Sequence, residues 1–165
     1  MKRIGIFYGS TSGNTEKAAR LIQAECGADD VTLYSVAKSI PQDMLSFDIL
    51  ILGTSTWGYG DMQDDWADFA IDGIDFTGRT VALFGLGDQE SYTDTFVDGM
   101  GILYSRIVDH GGHIIGQVPK DGYTNSGSLA IVDDMFVGLP LDEDNQADRT
   151  EERIRNWVKM LKEQW

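Results

Sequence analysis

The clearest chemical signal in this chain lies in seven residues, Gly9-Ser10-Thr11-Ser12-Gly13-Asn14-Thr15. They follow an apolar run, Ile4-Gly5-Ile6-Phe7-Tyr8, and open into a helical pattern, Glu16–Cys26. Strand, hydroxyl-rich loop and helix is the layout of a phosphate cradle. The first N–H groups of a helix have no acceptor inside it, and the helix dipole favours an anion in front of them. Ser10, Thr11, Ser12 and Thr15 add hydroxyl donors, and no Lys or Arg stands among them. A triphosphate P-loop needs Lys after its second Gly, where Asn14 stands here. A dinucleotide fingerprint, G-x-G-x-x-G, is missing at this turn, and Gly85-Leu86-Gly87 is only a later fragment of one. What remains is a site for one terminal phosphate monoester held by neutral donors. A Ser/Thr-capped helix with no ligand fits the loop equally well.

The elements that position this loop alternate along the chain. Lys2–Tyr8 reads as a strand, Thr15–Cys26 as a helix with Ala18, Ala19, Leu21 and Ile22 inward, and Val31–Val36 as a second strand. Ile40–Leu45 is a short helical turn opened by Pro41. Asp48–Thr54 is apolar almost throughout, as suits a strand buried on both faces. Gln63–Ala70 predicts a helix, Thr80–Leu86 a strand, and Tyr92–His110 a long helix stopped by Gly111-Gly112. His113–Val118 is the last core strand, and Asp148 with Glu151 predicts a capping box for a final helix, Thr150–Trp165. This alternation predicts an α/β fold, a doubly wound five-stranded parallel sheet of order 2-1-3-4-5 with helices on both faces. The pattern fails after Pro119, so residues 119–136 read as an insertion in the last strand of a single domain, 1–165.

In such a sheet ligands bind beyond the C-terminal strand ends, where three loops converge. The first is Gly9–Thr15, the second Thr54-Ser55-Thr56-Trp57-Gly58-Tyr59-Gly60-Asp61, and the third Gly85-Leu86-Gly87-Asp88-Gln89-Glu90-Ser91-Tyr92. Trp57 and Tyr92 are placed to stack on the two faces of a flat ring, and the glycines let backbone N–H groups approach its edge.

Composition excludes other classes. With 165 residues, 42% of them hydrophobic, the chain can bury a proper core. Thirteen basic and 27 acidic residues leave a net charge of −14, which excludes general affinity for nucleic acid or anionic membranes. The charge suggests a basic protein partner, although acidity also maintains solubility. A lone Cys26 forms no internal disulfide and no iron–sulfur cluster, and with only two histidines there is no metal constellation. No apolar run approaches a membrane span and Met1-Lys2-Arg3 leads straight into a strand, so a cytoplasmic location is expected.

The residues Phe7–Thr15, Thr56-Trp57, Ala82–Gly85, Gly87-Asp88-Gln89 with Tyr92, and Phe136–Leu139 with Leu141–Gln146 together resemble a flavodoxin of the long-chain type. The match runs nearly from end to end, and the order 2-1-3-4-5 is the one by which that family is commonly exemplified. The resemblance implies non-covalent FMN and low-potential, one-electron transfer between redox proteins, by a monomeric carrier rather than an enzyme. Ser10, Thr11, Ser12, Gly13, Asn14 and Thr15 would hold its phosphate. Ser55, Thr56, Trp57, Gly58, Tyr59 and Gly60 would form one side of the ring site, with Trp57 on one ring face and a Gly58–Tyr59 peptide able to turn its carbonyl to the ring. Leu86, Gly87, Asp88 and Gln89 would meet the pyrimidine edge, Tyr92 would cover the other face, and Asp144 would touch the ribityl chain or bias the potential. The implied partners are basic-surfaced proteins, a flavodoxin reductase or other donor and acceptor enzymes, met by Asp61, Asp64, Asp65 and Asp68. The alternative is an NAD(P)H-dependent quinone or flavin reductase of the same fold, which needs an open ring face.

Overall fold

A computed structural model describes residues 2–27, 29, 31–57, 60–124 and 127–165. In chain order the elements are β1 (Ile4–Tyr8), α1 (Asn14–Cys26), β2 (Val31–Ser35), β3 (Ile49–Trp57), β4 (Asp61–Met62), α2 (Asp64–Ala67), β5 (Thr80–Leu86) and α3 (Asp98–Asp109). They continue with β6 (His113–Ile115), β7 (Val118–Pro119), β8 (Ile131–Val132), β9 (Met135–Phe136), β10 (Leu139–Leu141) and α4 (Thr150–Gln164).

The main sheet runs β2-β1-β3-β5 in parallel register, and its last position is shared by two short strands, β6 and β10, both parallel to β5. Ala82 pairs with Ile115 and Phe84 with Leu139, so the two half-strands follow one another along β5. The expected order is met in part: the first four places stand as expected, while the fifth is divided between two short strands and the sheet has seven strands rather than five. Between the halves the chain builds a separate three-stranded antiparallel sheet, β7-β9-β8. Val118, expected to continue the core strand, belongs to that small sheet instead. A further strand, β4, folds back antiparallel on the end of β3.

Alternation along the strands divides the core in two. Ile49 and Ile51 face Ala18, Ala19 and Ile22 of α1 and Ile154, Trp157, Val158 and Leu161 of α4. Leu50 and Leu52 face the opposite layer, with Met100, Leu103 and Ile107 of α3 and Trp66 and Phe69 around α2. Both faces of the central strands are thus covered, the reason their sequences are apolar at successive positions.

Three expected elements differ. The helix expected over 63–70 shortens to Asp64–Ala67, because the chain tightens after Trp66 into a turn at Phe69 and a 3₁₀ turn at Ile71–Gly73. The helix expected from Tyr92 begins only at Asp98, since Val97 adopts a left-handed φ of 53° that breaks the helical path. The Asp148–Glu151 capping box is not formed: a 3₁₀ turn, Ala147–Arg149, runs directly into α4 with no side-chain cap. The Thr150 hydroxyl donates instead to Glu143 Oε1.

Candidate functional site

The strand ends build one cavity. The loop after β1 enters it through Ser12, Asn14 and Thr15, the end of β3 through Ser55, Thr56 and Trp57, and the loop after β5 through Leu86, Gly87, Asp88 and Tyr92. Asp144, following β10, completes the set of sequence-expected residues that line it. The sheet topology alone brings these four segments together, since β1, β3, β5 and β10 are neighbours and parallel.

The cradle is braced from behind. Gly9 must be glycine for packing: a Cβ there would fall on Gln63 Oε1 and lie 2.8 Å from Trp66 Cδ1. Trp66 donates Nε1–H to the Gly53 carbonyl at 2.6 Å, and Gln63 donates Nε2–H to Thr11 Oγ1 at 3.1 Å. Ser10 Oγ accepts from the Gly13 N–H at 3.1 Å. Gly13 itself takes a φ of 94°, turning the chain into α1 at no Cβ cost. No side chain caps α1. Its first N–H groups, which have no acceptor within the helix, are thus free of a capping side chain beside Ser12, Asn14 and a 2% exposed Thr15.

Ser10, Thr11, Gly13, Gly60 and Gln89 are not among the described residues that line the cavity. Ser10, Thr11 and Gly13 shape the cradle from outside, Gly60 turns beside Asp98 with a φ of 107°, and Gln89 directs both its N–H and its side chain toward Asp142. Gly58 and Tyr59, with the expected peptide turn between them, lie outside the described residues. Thr95, Phe96, Val97 and Glu143 also line the cavity. The first three are hidden in sequence by a pattern that reads as helix, whereas Glu143 is signalled only by its place beside Asp144.

Trp57 is 43% exposed and Tyr92 50% exposed, so both rings stand at the mouth with much of their apolar surface in water. Trp57 is fixed by an Nε1–H bond to Ser55 Oγ at 2.6 Å. Thr56 Oγ1 accepts from the Gly99 N–H at 2.9 Å, and the Gly87 N–H donates to the Leu141 carbonyl at 3.1 Å.

Among the described residues the lining holds three carboxylates, Asp88, Glu143 and Asp144, and no Lys, Arg or His. The Ser91 N–H, with Asn145 Nδ2–H and the Glu90 N–H, holds the Asp88 carboxyl below its usual range. Asp144 is pushed the other way, first by burial and then by Asp88, Asp142 and Glu143. Neutral donors gather at the start of α1, the part of this cavity that suits an anion, whereas added negative charge near Asp144 meets opposition.

A doubly wound sheet with this cavity defines an α/β protein whose strand ends gather hydroxyls, helix N–H groups and two half-exposed aromatics around one cavity. The comparisons narrow the class. The flavodoxin family model matches residues 6–157. A flavodoxin from Trichodesmium erythraeum is 46% identical over 166 residues, covering 98% of this chain and 97% of that protein. Flavodoxin 1 of Escherichia coli is 45% identical over 163 residues, covering 97% and 93%. The crystal structure of Fusobacterium nucleatum flavodoxin bound to flavin mononucleotide superposes with a TM-score of 0.95 at 34% identity, covering 100% of this chain and 99% of that one. The chain belongs to the flavodoxin family of electron carriers.

Proposed function

We propose that the protein binds FMN non-covalently in this cavity and carries single electrons at low potential between redox proteins of the cytoplasm. The observation that carries the reading is the meeting of an uncapped α1 N-terminus and two half-exposed aromatics in one cavity whose described lining holds no cation. The residues fit the group. Ser12, Asn14, Thr15 and the first N–H groups of α1 would hold the phosphate, supported by Ser10, Thr11 and Gly13. Trp57 and Tyr92 would flank the ring, Ser55, Thr56 and Gly60 would shape one side, and Leu86, Gly87 and Asp88 would meet its edge. Bound FMN supplies the redox chemistry, accepting and releasing one electron at a time.

This chain's own residues exclude water, orient the ring and set the local field. Asp88, Glu143 and Asp144 oppose added negative charge, which makes the reduced protein a stronger donor. Trp57 and Tyr92 stacked on the ring would leave no open face for a nicotinamide, which disfavours the reductase alternative. The partners we propose are basic-surfaced proteins drawn by the net charge of −14, meeting a monomer at the cavity mouth. Among the described residues no helix is long and apolar enough to cross a membrane.

The test is titration of the purified protein with FMN, followed by stepwise reduction in the spectrometer. The expected result is stoichiometric binding and a visible spectrum that changes in two separated one-electron stages. A protein that takes up no added FMN would overturn the assignment. Rapid NADPH oxidation with a quinone and no partner protein would transfer it to the reductases.

A further inference from the structure

We propose that Gln89 is a positioning residue, which ties the inserted segment to the Leu86–Tyr92 wall of the cavity and holds that wall in its binding shape. The proposal rests on the FMN reading above. Gln89 is 0% exposed and its side chain lies outside the cavity, yet Gly87, Asp88 and Tyr92 around it line that cavity. Its Nε2–H donates to Asp142 Oδ2 at 2.8 Å, and its backbone N–H donates to the same oxygen at 3.2 Å. Its Oε1 accepts from the Thr124 N–H at 2.6 Å, and its carbonyl accepts from Thr93 Oγ1 at 2.9 Å. One side chain therefore joins three segments far apart in sequence: the loop after β5, the end of β10 and the segment between β7 and β8.

Asp142 extends the tie. It is also 0% exposed, and it precedes the lining residues Glu143 and Asp144. Its Oδ1 accepts from the Asn145 N–H at 3.1 Å, and Asn145 Nδ2–H reaches back to Asp88 Oδ1 at 2.8 Å. Two walls of the cavity, 86–92 and 142–145, are thus locked to each other through Asp142 and to the insertion through Gln89. The chemistry at position 89 is directional. The Asp142 oxygens accept from both Gln89 and Asn145, and the Thr124 N–H only donates, so the group between them must donate on one side and accept on the other. A primary amide of this length does both. A carboxylate would set two acceptors against each other in a buried place, where an unmet polar group is costly.

Gln89→Glu keeps the shape and removes the donor; combined with Asp142→Asn it restores the side-chain pair between positions 89 and 142, while the backbone N–H of residue 89 loses its acceptor. Affinity for FMN and for riboflavin, the potential of the bound flavin and the thermal midpoint of the apoprotein are measured for wild type, single and double variants. The single variant is expected to bind both flavins about tenfold to a hundredfold more weakly, by the same factor, with a shifted potential, while the double variant recovers only part of the loss. An equal factor places the damage at the ring wall rather than at the phosphate cradle. Where Gln89→Glu fails to fold, Gln89→Met, which removes both bonds without adding charge, is expected to show the same paired loss. Unchanged flavin affinity and potential in a folded variant, even with a lowered thermal midpoint, would overturn the positioning role. Failure of the wild type to bind FMN would overturn the FMN reading itself, an outcome visible before any variant is made.

Discussion

Trp57 and Tyr92 stand half in water, more exposed than any other Phe, Tyr or Trp ring among the described residues, and that exposure is what a second flat surface would remove. Aromatic stacking adds about 0.5–1.5 kcal/mol beyond area burial, so Trp57→Ala is expected to weaken FMN binding roughly tenfold to a hundredfold in a fluorescence titration. Asp144 makes a different contribution. Burial and its carboxylate neighbours raise its pKa, so the folded state favours the protonated form. The stability it costs is therefore fully present at neutral pH and is relieved as pH falls through the raised folded value. Asp144→Asn is expected to gain a few tenths of a kcal/mol at pH 7 in denaturant titrations, a gain kept small by solvent screening, and to lose that advantage in acid. The same change removes a charge that opposes an arriving electron. At ~10 Å and an effective dielectric of ~20 that charge is worth about 1.7 kcal/mol, so potentiometry should find the potential raised by up to about 70 mV. At this scale the lining was legible wherever residue type signals chemistry, as with the hydroxyls of the cradle and the two aromatics. Gln89 shows the limit: its motif marks the ring edge, but only the fold reveals that its amide turns away from the cavity toward Asp142.

The cradle is set by α1 and by what supports it from below. Gly9 looks in sequence like part of a phosphate loop, whereas its hydrogen is required by Gln63 and Trp66 packed beneath. Gly9→Ala is expected to cost about 1–3 kcal/mol in chemical denaturation, the usual range for forcing an extra methyl into a packed site. Unchanged stability would mean that Gln63 and Trp66 yield without resistance. Long apolar strands and the two helices α1 and α4 were legible because burial on one or both faces imposes a clear period. The start of α3 was not, since the apolar spacing of Phe96, Val97 and Met100 suits a helix while the left-handed turn at Val97 is a tertiary demand. The Asp148–Glu151 box failed for a related reason: Glu143 competes for Thr150 and a 3₁₀ turn occupies the approach.

Over the whole molecule, a net charge of −14 is offset by little local pairing; among the described residues the ion pairs are Arg20–Glu16 at 3.6 Å and Lys120–Asp134. Self-repulsion of this kind is screened by salt. The midpoint of thermal unfolding should rise as NaCl is added from low ionic strength, while the association rate with a basic redox protein should fall; a flat response in both would remove charge from the account. Composition made this property legible, though it says nothing of which surface the charge crowds. The divided edge of the sheet has a further consequence. Ile115 pairs beside Ala82 and Leu139 beside Phe84, leaving only Leu83 between the two registers, and Gly138 packs against the Leu83 carbonyl. A chain joined from Ile115 directly to Gly138 would therefore run on as one unbroken strand. The seam is a natural splice point, at which a segment can be removed or exchanged without shifting the sheet by a single residue. Any replacement must carry over the main-chain donors that meet Gln89 and Asp98, because the strand register makes no provision for them.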